Sequence, residues 1–183
     1  MKAALSEIPL VFKPSYEMAL ALVLGVIYAV DISKPALAWI YVSTARQTSC
    51  SLGFHTRPKG ADATGVMNKM GMLFWVIYYF EKTLSLRLGR CSAIPDAEIT
   101  VPFPTSSTTV DDPRMDYYHQ MVRYASLAGR TYEKLYSANA LSLPDETRRQ
   151  RVSELSQELQ QIRGTTRAVT VSPHSAFPWL CYV

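Results

Sequence analysis

The sequence of hydrophobic and polar positions predicts helices along most of the chain and almost no strands. Residues 16–30 are nearly all apolar, and Ser15 in front of them is a suitable N-cap, so we expect a buried helix there. A second helix is expected over residues 35–52, where Ser33 can act as the cap and Pro35 suits the first turn. The apolar residues of this second helix keep helical spacing only loosely.

The strongest pattern is an aromatic-rich segment in the middle of the chain. Residues 67–88 are apolar on every face between Met72 and Phe80, which is typical of a central helix packed from several sides. Charged residues appear only near its C-terminal end, and Gly89 offers the stop. Residues 55–66, which precede it, have no apolar period and predict a loop. The expected fold class is all-α, an irregular helical bundle around this central aromatic-rich helix.

Beyond the central helix the pattern changes to an extended stretch and then returns to helices. Three prolines and the lack of a helical period indicate that residues 91–104 run extended along the bundle. Ile94, Ile99 and Val101 should turn inward there. Gly129 is a weak point in the long helix expected next. We predict a core at residues 1–104, a polar linker at 105–113, the helical C-terminal part of the same domain at 114–163 and an irregular tail at 164–183. The C-terminal part should contain two helices, at 114–139 and 144–163.

An apolar stripe marks the last predicted helix. Its members are three and four residues apart over about two heptads, which is short for a coiled coil, so we expect the stripe to pack on its own bundle. The acidic and basic residues of this helix are equal in number and fit a solvated face. The stripe consists of Val152, Leu155, Leu159 and Ile162.

The composition fits a globular chain that buries a core. Hydrophobic residues make up 48% and charged residues 19% of the 183 residues, which excludes disorder as the main state. The net charge of +4 is small for a dedicated nucleic-acid binder. Residues 18–30 form the most apolar run, and this run is shorter than the roughly 20 residues that a membrane helix needs. No secretion signal or polybasic import signal is recognisable, and a membrane is not an expected partner.

The reactive and metal-binding side chains of the sequence form no pattern typical of a catalytic, cofactor or metal site. The three cysteines lie far apart without a CxxC pair, so they assemble neither a disulfide framework nor a closed zinc site, and a reducing compartment is expected. Asp96 and Glu98 would point to opposite sides of an extended segment and would form no catalytic pair. Neither GxSxG nor a phosphate-binding glycine loop occurs, so we do not expect an enzyme.

Two segments, residues 38–55 and 70–104, resemble a known family. In that family an aromatic-rich helix with an acid–base pair is followed by LSL, LGRP and a closing proline segment, and here the corresponding stretch reads LFWVIYYFEKTLSLRLGRC. The sequence is therefore similar to the fungal-specific transcription factor domain, the regulatory middle homology region of fungal zinc-cluster regulators. Cys91 stands where the family usually has proline, and Lys82 where arginine is common. The matching residues include Leu73, Phe74, Trp75, Tyr78, Leu84, Leu88, Gly89, Arg90, Ile94, Asp96 and Ile99.

The resemblance implies a structural role for these residues and leaves the ligand-binding residues unknown. Arg90 is expected to tie the helix end to Asp96 or Glu98. The six-cysteine cluster of the family has no counterpart in this sequence, so we expect no zinc or other cofactor in the chain and no autonomous DNA reading. The resemblance weakens after Pro104 and is lost in the tail, which suggests a truncated or alternatively spliced product. By the same resemblance the nucleus is the expected location.

Three functions stay open at this point. The first is the regulatory domain of a fungal transcription factor, which would contact protein partners or the rest of the factor, respond to a small-molecule inducer, and reach DNA only through a missing zinc-cluster module. The second is a stand-alone interaction protein that competes with full-length regulators. The third is a small-molecule-sensing helical module. Its pocket would be lined by Trp39, Trp75, Tyr78 and Tyr79.

Overall fold

A computed structural model describes residues 13–57, 69–103 and 113–165 of the chain. Within these ranges the chain is helical without strands, so the all-α class is confirmed. Most of the predicted loop at 55–66, nearly all of the predicted linker at 105–113 and most of the tail lie outside the described residues. The domain boundaries stay predictions.

The chain begins with a helical hairpin. Helix α1 is Tyr16–Asp31 and helix α2 is Pro35–Ser51. Ser15 caps α1 as predicted, because its side chain accepts a hydrogen bond from the Met18 N–H at 3.1 Å. The predicted cap of α2 is wrong. Ser33 has a φ of 56° and turns the chain between the helices, so the N-cap position falls on Lys34, which makes no side-chain capping bond.

The third helix forms the centre of the bundle. Helix α3, Lys69–Leu88, contacts both α1 and α2 and also the helix that follows it in the chain. Its residues from Leu73 to Tyr78 and Phe80 are buried, and Tyr79 is partly buried, so the helix is packed from several sides as the sequence predicted. Gly89 ends the helix with a φ of 63°, a conformation that glycine adopts without steric cost.

The segment after Gly89 runs along the bundle with one interruption. Asp96–Glu98 form a 3₁₀ turn, which the sequence did not predict and which replaces a strictly extended course. Ile94 and Val101 are buried as expected, and Ile99 is half-buried. The N–H groups of Thr100 and Val101 both donate to the carbonyl of His55, at 3.0 and 3.1 Å, and so join this segment to the end of α2.

The helix predicted at 114–139 is broken into three pieces. These are α4 at Pro113–Thr131, a π-helical turn at Tyr132–Tyr136 and the short α5 at Ala138–Leu141. Gly129 does not interrupt α4; the break comes at Ser137, whose side chain accepts from the Ala140 N–H at 3.2 Å and starts α5.

The last helix packs on α4. Helix α6, Asp145–Thr165, contacts α4 through a small apolar cluster of Leu127, Leu155 and Ile162. The predicted stripe is thus only partly buried, because Val152 and Leu159 face outward. None of the described helices is long and apolar enough to cross a membrane.

Candidate functional site

Two neighbouring charged residues of α3 are buried in the bundle. Glu81 and Lys82 are each only 1% exposed, although α3 is otherwise apolar here. Because a buried charge is costly unless it is paired or hydrogen-bonded, both side chains need partners within the protein. They find them in the segment that follows Gly89.

Glu81 binds the first residues of that segment. Its carboxylate accepts hydrogen bonds from the Ala93 N–H at 2.6 Å and from the Ser92 hydroxyl at 2.8 Å. Burial raises the pKa of Glu81, whereas these two hydrogen bonds and the charges of Lys82 and Arg46 act in the opposite direction. The carboxylate thus replaces the water that would otherwise solvate the backbone at residue 93.

Lys82 binds the next residues along the chain. Its Nζ donates to the Ile94 carbonyl at 2.8 Å and lies 2.9 Å from Asp96 Oδ1. The Tyr78 hydroxyl donates to the same carboxylate oxygen at 3.2 Å, and the Tyr78 ring centre lies 5.2 Å from Nζ. Burial, followed by the nearby Asp96 charge, raises the pKa of Tyr78. We call Tyr78, Glu81, Lys82, Ser92 and Asp96 the polar clamp.

A tryptophan holds the far end of the same segment. The Trp75 Nε1–H donates to the Pro102 carbonyl at 2.9 Å. The Trp75 ring makes edge contacts with Tyr78 and Phe103, with ring centres 5.2 and 5.4 Å apart. The segment from Ser92 to Phe103 is therefore fixed to α3 at both ends, by the polar clamp and by Trp75.

Most of the predicted motif residues lie in or beside this arrangement, but one predicted pairing is wrong. The Arg90 guanidinium does not reach Asp96 or Glu98; it lies over the Trp39 ring, 5.2 Å from its centre. Asp96 instead pairs with Lys82 and Tyr78. The structure buries Leu73, Phe74, Trp75, Tyr78, Leu84 and Ile94, leaves Leu88 and Ile99 half-buried, and exposes Gly89, Arg90 and Asp96.

The four aromatic residues predicted to line one pocket are separated in the structure. Trp75 and Tyr78 contact each other in the core, and Trp39 lies under Arg90. Tyr79 lines a different groove of about 300 Å³, which also includes Val30, Thr83 and Tyr124. Burial, with smaller effects of Tyr117 and Tyr124, raises the pKa of Tyr79.

Sequence reasoning missed the polar clamp and a cleft beside it. A signal for the clamp was present, because an acid–base pair inside an otherwise apolar helix must be either exposed or paired. The cleft has a volume of about 210 Å³ between α2 and the clamped segment, and its lining includes Arg46, Cys50, His55 and Glu98. His55 Nδ1 is buried without a hydrogen-bond partner, which is uncommon for a polar atom. No group of three or more potential metal ligands occurs in the part of the chain that the structure describes.

The polar clamp joins the acid–base pair of α3 to the residues after LGR, which is the part of the sequence that carries the family resemblance. Comparison with known families matches residues 3–164 to the fungal specific transcription factor domain. This chain belongs to that family. The predicted family and its regulatory-domain type are thus confirmed.

Curated relatives of this fungal specific transcription factor domain are transcription regulators. The ABC-transporter-regulating transcription factor of Aspergillus fumigatus is 27% identical over 137 residues, which are 69% of this chain and 15% of the relative. Protein STB5 of Saccharomyces cerevisiae is 32% identical over 92 residues, 49% of this chain and 12% of the relative. The lactose regulatory protein LAC9 of Kluyveromyces lactis is 32% identical over 100 residues, 54% of this chain and 11% of the relative. The chain thus spans 15% or less of the length of these relatives, and no solved structure matches it.

Proposed function

We propose that this domain regulates transcription through contacts with proteins, either within a larger factor or with separate partners, and that it does not read DNA itself. One observation carries the proposal: the acid–base pair of the family motif is used inside the bundle, where Lys82 binds Asp96 and the Ile94 carbonyl and Glu81 binds the Ala93 N–H. Glu81, Lys82 and Asp96 therefore build a scaffold, and the surfaces around that scaffold remain for partners. The nucleus is the corresponding location.

A reporter experiment tests this function. The full chain is fused to a heterologous DNA-binding domain in a yeast reporter strain, and expression is compared with that of the DNA-binding domain alone. We expect the fusion to change expression, and Lys82→Met to weaken the change because it disrupts the polar clamp and lowers the folded fraction. Arg87→Met, on the exposed side of the same helix, is the matched control and should retain the effect. Equal expression with and without the chain would contradict the proposal.

Competition with full-length regulators is the stand-alone version of the same function. It predicts that the unfused chain alters the output of a related regulator in the same cell. A competitor acts without being joined to a DNA-binding domain. Co-expression of the unfused chain therefore distinguishes a competitor from a regulatory domain that acts only within a larger factor. An effect that appears only in the fusion argues against the competitor.

Small-molecule sensing is a second candidate, and the His55 cleft favours it. The cleft has a volume of about 210 Å³, and its lining includes His55, Arg46 and Glu98. His55 Nδ1 is buried there without a hydrogen-bond partner. Such a lining suits a small molecule with a carboxylate and a donor group. Thermal shift with free amino acids and short carboxylic acids tests the idea, since a ligand raises the melting temperature by mass action. A shift retained in Arg46→Gln would place the binding elsewhere.

A further inference from the structure

The cleft between α2 and the clamped segment has one positive and one negative side chain in its lining. Arg46 belongs to α2, and Glu98 belongs to the 3₁₀ turn of the segment. No ion pair joins the two side chains to each other, and neither is in an ion pair with another of the described residues. Opposite charges that line the same cleft without meeting can both be bound by one ligand that carries a charge of each sign.

The Arg46 guanidinium has donors left for such a ligand. Its charge acts against the rise in the pKa of Glu81, so the two side chains are near each other. The Glu81 carboxylate is buried, however, and already accepts hydrogen bonds from the Ala93 N–H and the Ser92 hydroxyl. Because a guanidinium has five N–H donors in a planar fork, Arg46 can bind a carboxylate in the cleft.

His55 adds a polar atom without a partner to the same lining. Its Nδ1 is buried and makes no hydrogen bond. Its backbone carbonyl accepts from Thr100 and Val101, and its ring centre lies 6.3 Å from that of Phe74, so the residue is held in place. A neutral imidazole nitrogen either donates or accepts a hydrogen bond. A ligand with both an ammonium and a carboxylate group can therefore satisfy Nδ1 in either tautomer.

The other lining residues are apolar, and the space between them is small. These residues are Cys50 of α2 and Ala93, Ile94, Pro95 and Ile99 of the clamped segment. A cavity of about 150 Å³ holds benzene, so the cleft volume of about 210 Å³ suits a molecule of roughly eight to ten non-hydrogen atoms. Leucine is a molecule of this size, with an apolar side chain and one charge of each sign.

We infer that the cleft binds a free α-amino acid with an aliphatic side chain of about the size of leucine. The inference rests on small-molecule sensing, the second function proposed above. Arg46 binds the carboxylate of the amino acid, Glu98 binds its ammonium group, and the aliphatic side chain packs on Ile94 and Ile99. The bound amino acid joins α2 to the clamped segment, because its two charged groups are bound by residues of these two elements.

Isothermal titration calorimetry of the full chain with L-leucine tests the inference, with two analogues as controls. Isocaproate lacks the ammonium group, and isoamylamine lacks the carboxylate. We expect leucine to bind and each analogue to bind at least about tenfold more weakly, because each leaves one charged group of the cleft without a partner. An analogue that binds as tightly as leucine overturns the inference, although it agrees with small-molecule sensing as such.

Two substitutions test which residue binds which group. Glu98→Gln should weaken leucine binding by at least about tenfold but isocaproate binding by less than about twofold, since only the ammonium contact is lost. Arg46→Gln should weaken the binding of both compounds. Glu146→Gln is the matched control, because Glu146 is an exposed glutamate on α6, and leucine affinity should not change. Circular dichroism verifies that each variant is folded.

Two results overturn the inference. The first is a Glu98→Gln variant that keeps its affinity for leucine or loses affinity for leucine and isocaproate equally. The second is a wild type that binds no leucine at millimolar concentration. In that case a thermal shift with another of the amino acids or carboxylic acids would still support sensing, whereas no shift with any of them would contradict sensing as well.

Discussion

Lys82 is the residue on which the candidate site depends most. Its ammonium group is buried, and it is tolerated there because the Ile94 carbonyl, the Asp96 carboxylate and the Tyr78 ring surround it. Asp96 is about half-exposed, so water shares in solvating this pair. Most of the stabilisation from Lys82 therefore comes from satisfying the Ile94 carbonyl and from packing its methylene groups.

We expect Lys82→Met to lower the free energy of unfolding by about 1–3 kcal/mol, because it leaves the buried Ile94 carbonyl with only the longer contact from the Ser92 hydroxyl, at 3.4 Å. Methionine is of similar length, so little volume is lost. Urea denaturation measures the effect. The control is Arg87→Met, an exposed site on the same helix, which should change stability by less than about 0.5 kcal/mol. Equal losses in the two variants would show that the clamp is not a distinct source of stability.

Gly129 leaves the space that the Lys82 side chain occupies. A Cβ at this position would lie 2.8 Å from Lys82 Cδ. The lysine cannot move aside without breaking its contacts with the Ile94 carbonyl and the Asp96 carboxylate. We expect Gly129→Ala to destabilise the protein, although alanine favours an exposed helix by about 1 kcal/mol over glycine. Gly164→Ala is the control, since no atom lies within 4 Å of its added Cβ, and it should stabilise α6. Thermal melts that show the same sign for both variants would contradict this account.

At the scale of elements, α6 is held to the bundle by few contacts. Its apolar contacts to α4 come from Leu155 and Ile162, and its principal polar contact is a bidentate pair between Arg130 and Glu158. The neighbouring ion pair of Lys134 with Glu154 is longer, at 3.7 Å, and more exposed. We therefore expect α6 to be among the first described elements to separate from the bundle on destabilisation.

The docking of α6 should depend on pH through Glu158. Its hydrogen bonds to Arg130 lower the pKa of Glu158, so the folded state favours the ionised carboxylate. The resulting stability is complete above the ordinary pKa of 4.5 and is lost as the pH falls through the lowered value in the folded protein. We expect Glu158→Gln to melt about 1–3 °C below the wild type at pH 7. This difference in melting temperature should disappear at acidic pH, where Glu158 is protonated in both states.

The control for this pH dependence is Glu146→Gln. Glu146 pairs with Arg149 at 3.4 Å, but both side chains are highly exposed and lie on the same helix. Its substitution should have little effect at either pH, because such pairs contribute little to stability. Melting curves recorded from neutral to acidic pH provide the comparison, and a constant gap for Glu158→Gln would refute the assignment to ionisation.

At the scale of the whole molecule, the net charge is small and many charges are paired. The excess of positive charge is only +4 over 183 residues. Several basic residues of the helices are already paired, including Lys82, Arg130 and Arg148. A small excess of positive charge, with several cations already paired in the described residues, gives the chain little basis for following a phosphate backbone.

We therefore expect only weak, sequence-independent association of the chain with duplex DNA. Its affinity should fall steeply as salt rises from 50 to about 200 mM, as counterion release requires. Fluorescence anisotropy with two unrelated duplexes measures both properties, and each duplex serves as the control for the other. A nanomolar complex at physiological salt, or a clear preference for one sequence, would contradict the expectation.

The local features of this protein follow from its sequence alone. The cap at Ser15, the helix end at Gly89 and the central position of α3 follow from neighbouring residues, because caps, stops and all-round apolarity act within a few positions of the chain. The family also followed from a contiguous motif. Part of the candidate site was accessible in this way, since the aromatic pattern singled out Tyr78 of the polar clamp and Trp75 beside it.

Which distant residues contact one another depends on the tertiary structure and could not be predicted. Arg90 and Lys82 are both cations near the end of α3, and the sequence could not tell that Lys82 points inward to Asp96 while Arg90 lies on Trp39. The same holds for α1, where the sequence predicted a buried helix but Tyr28 is largely exposed. An apolar sequence does not reveal which of its faces finds a neighbour. Such pairings depend on how helices from distant parts of the chain approach one another, and local patterns carry no information about that approach.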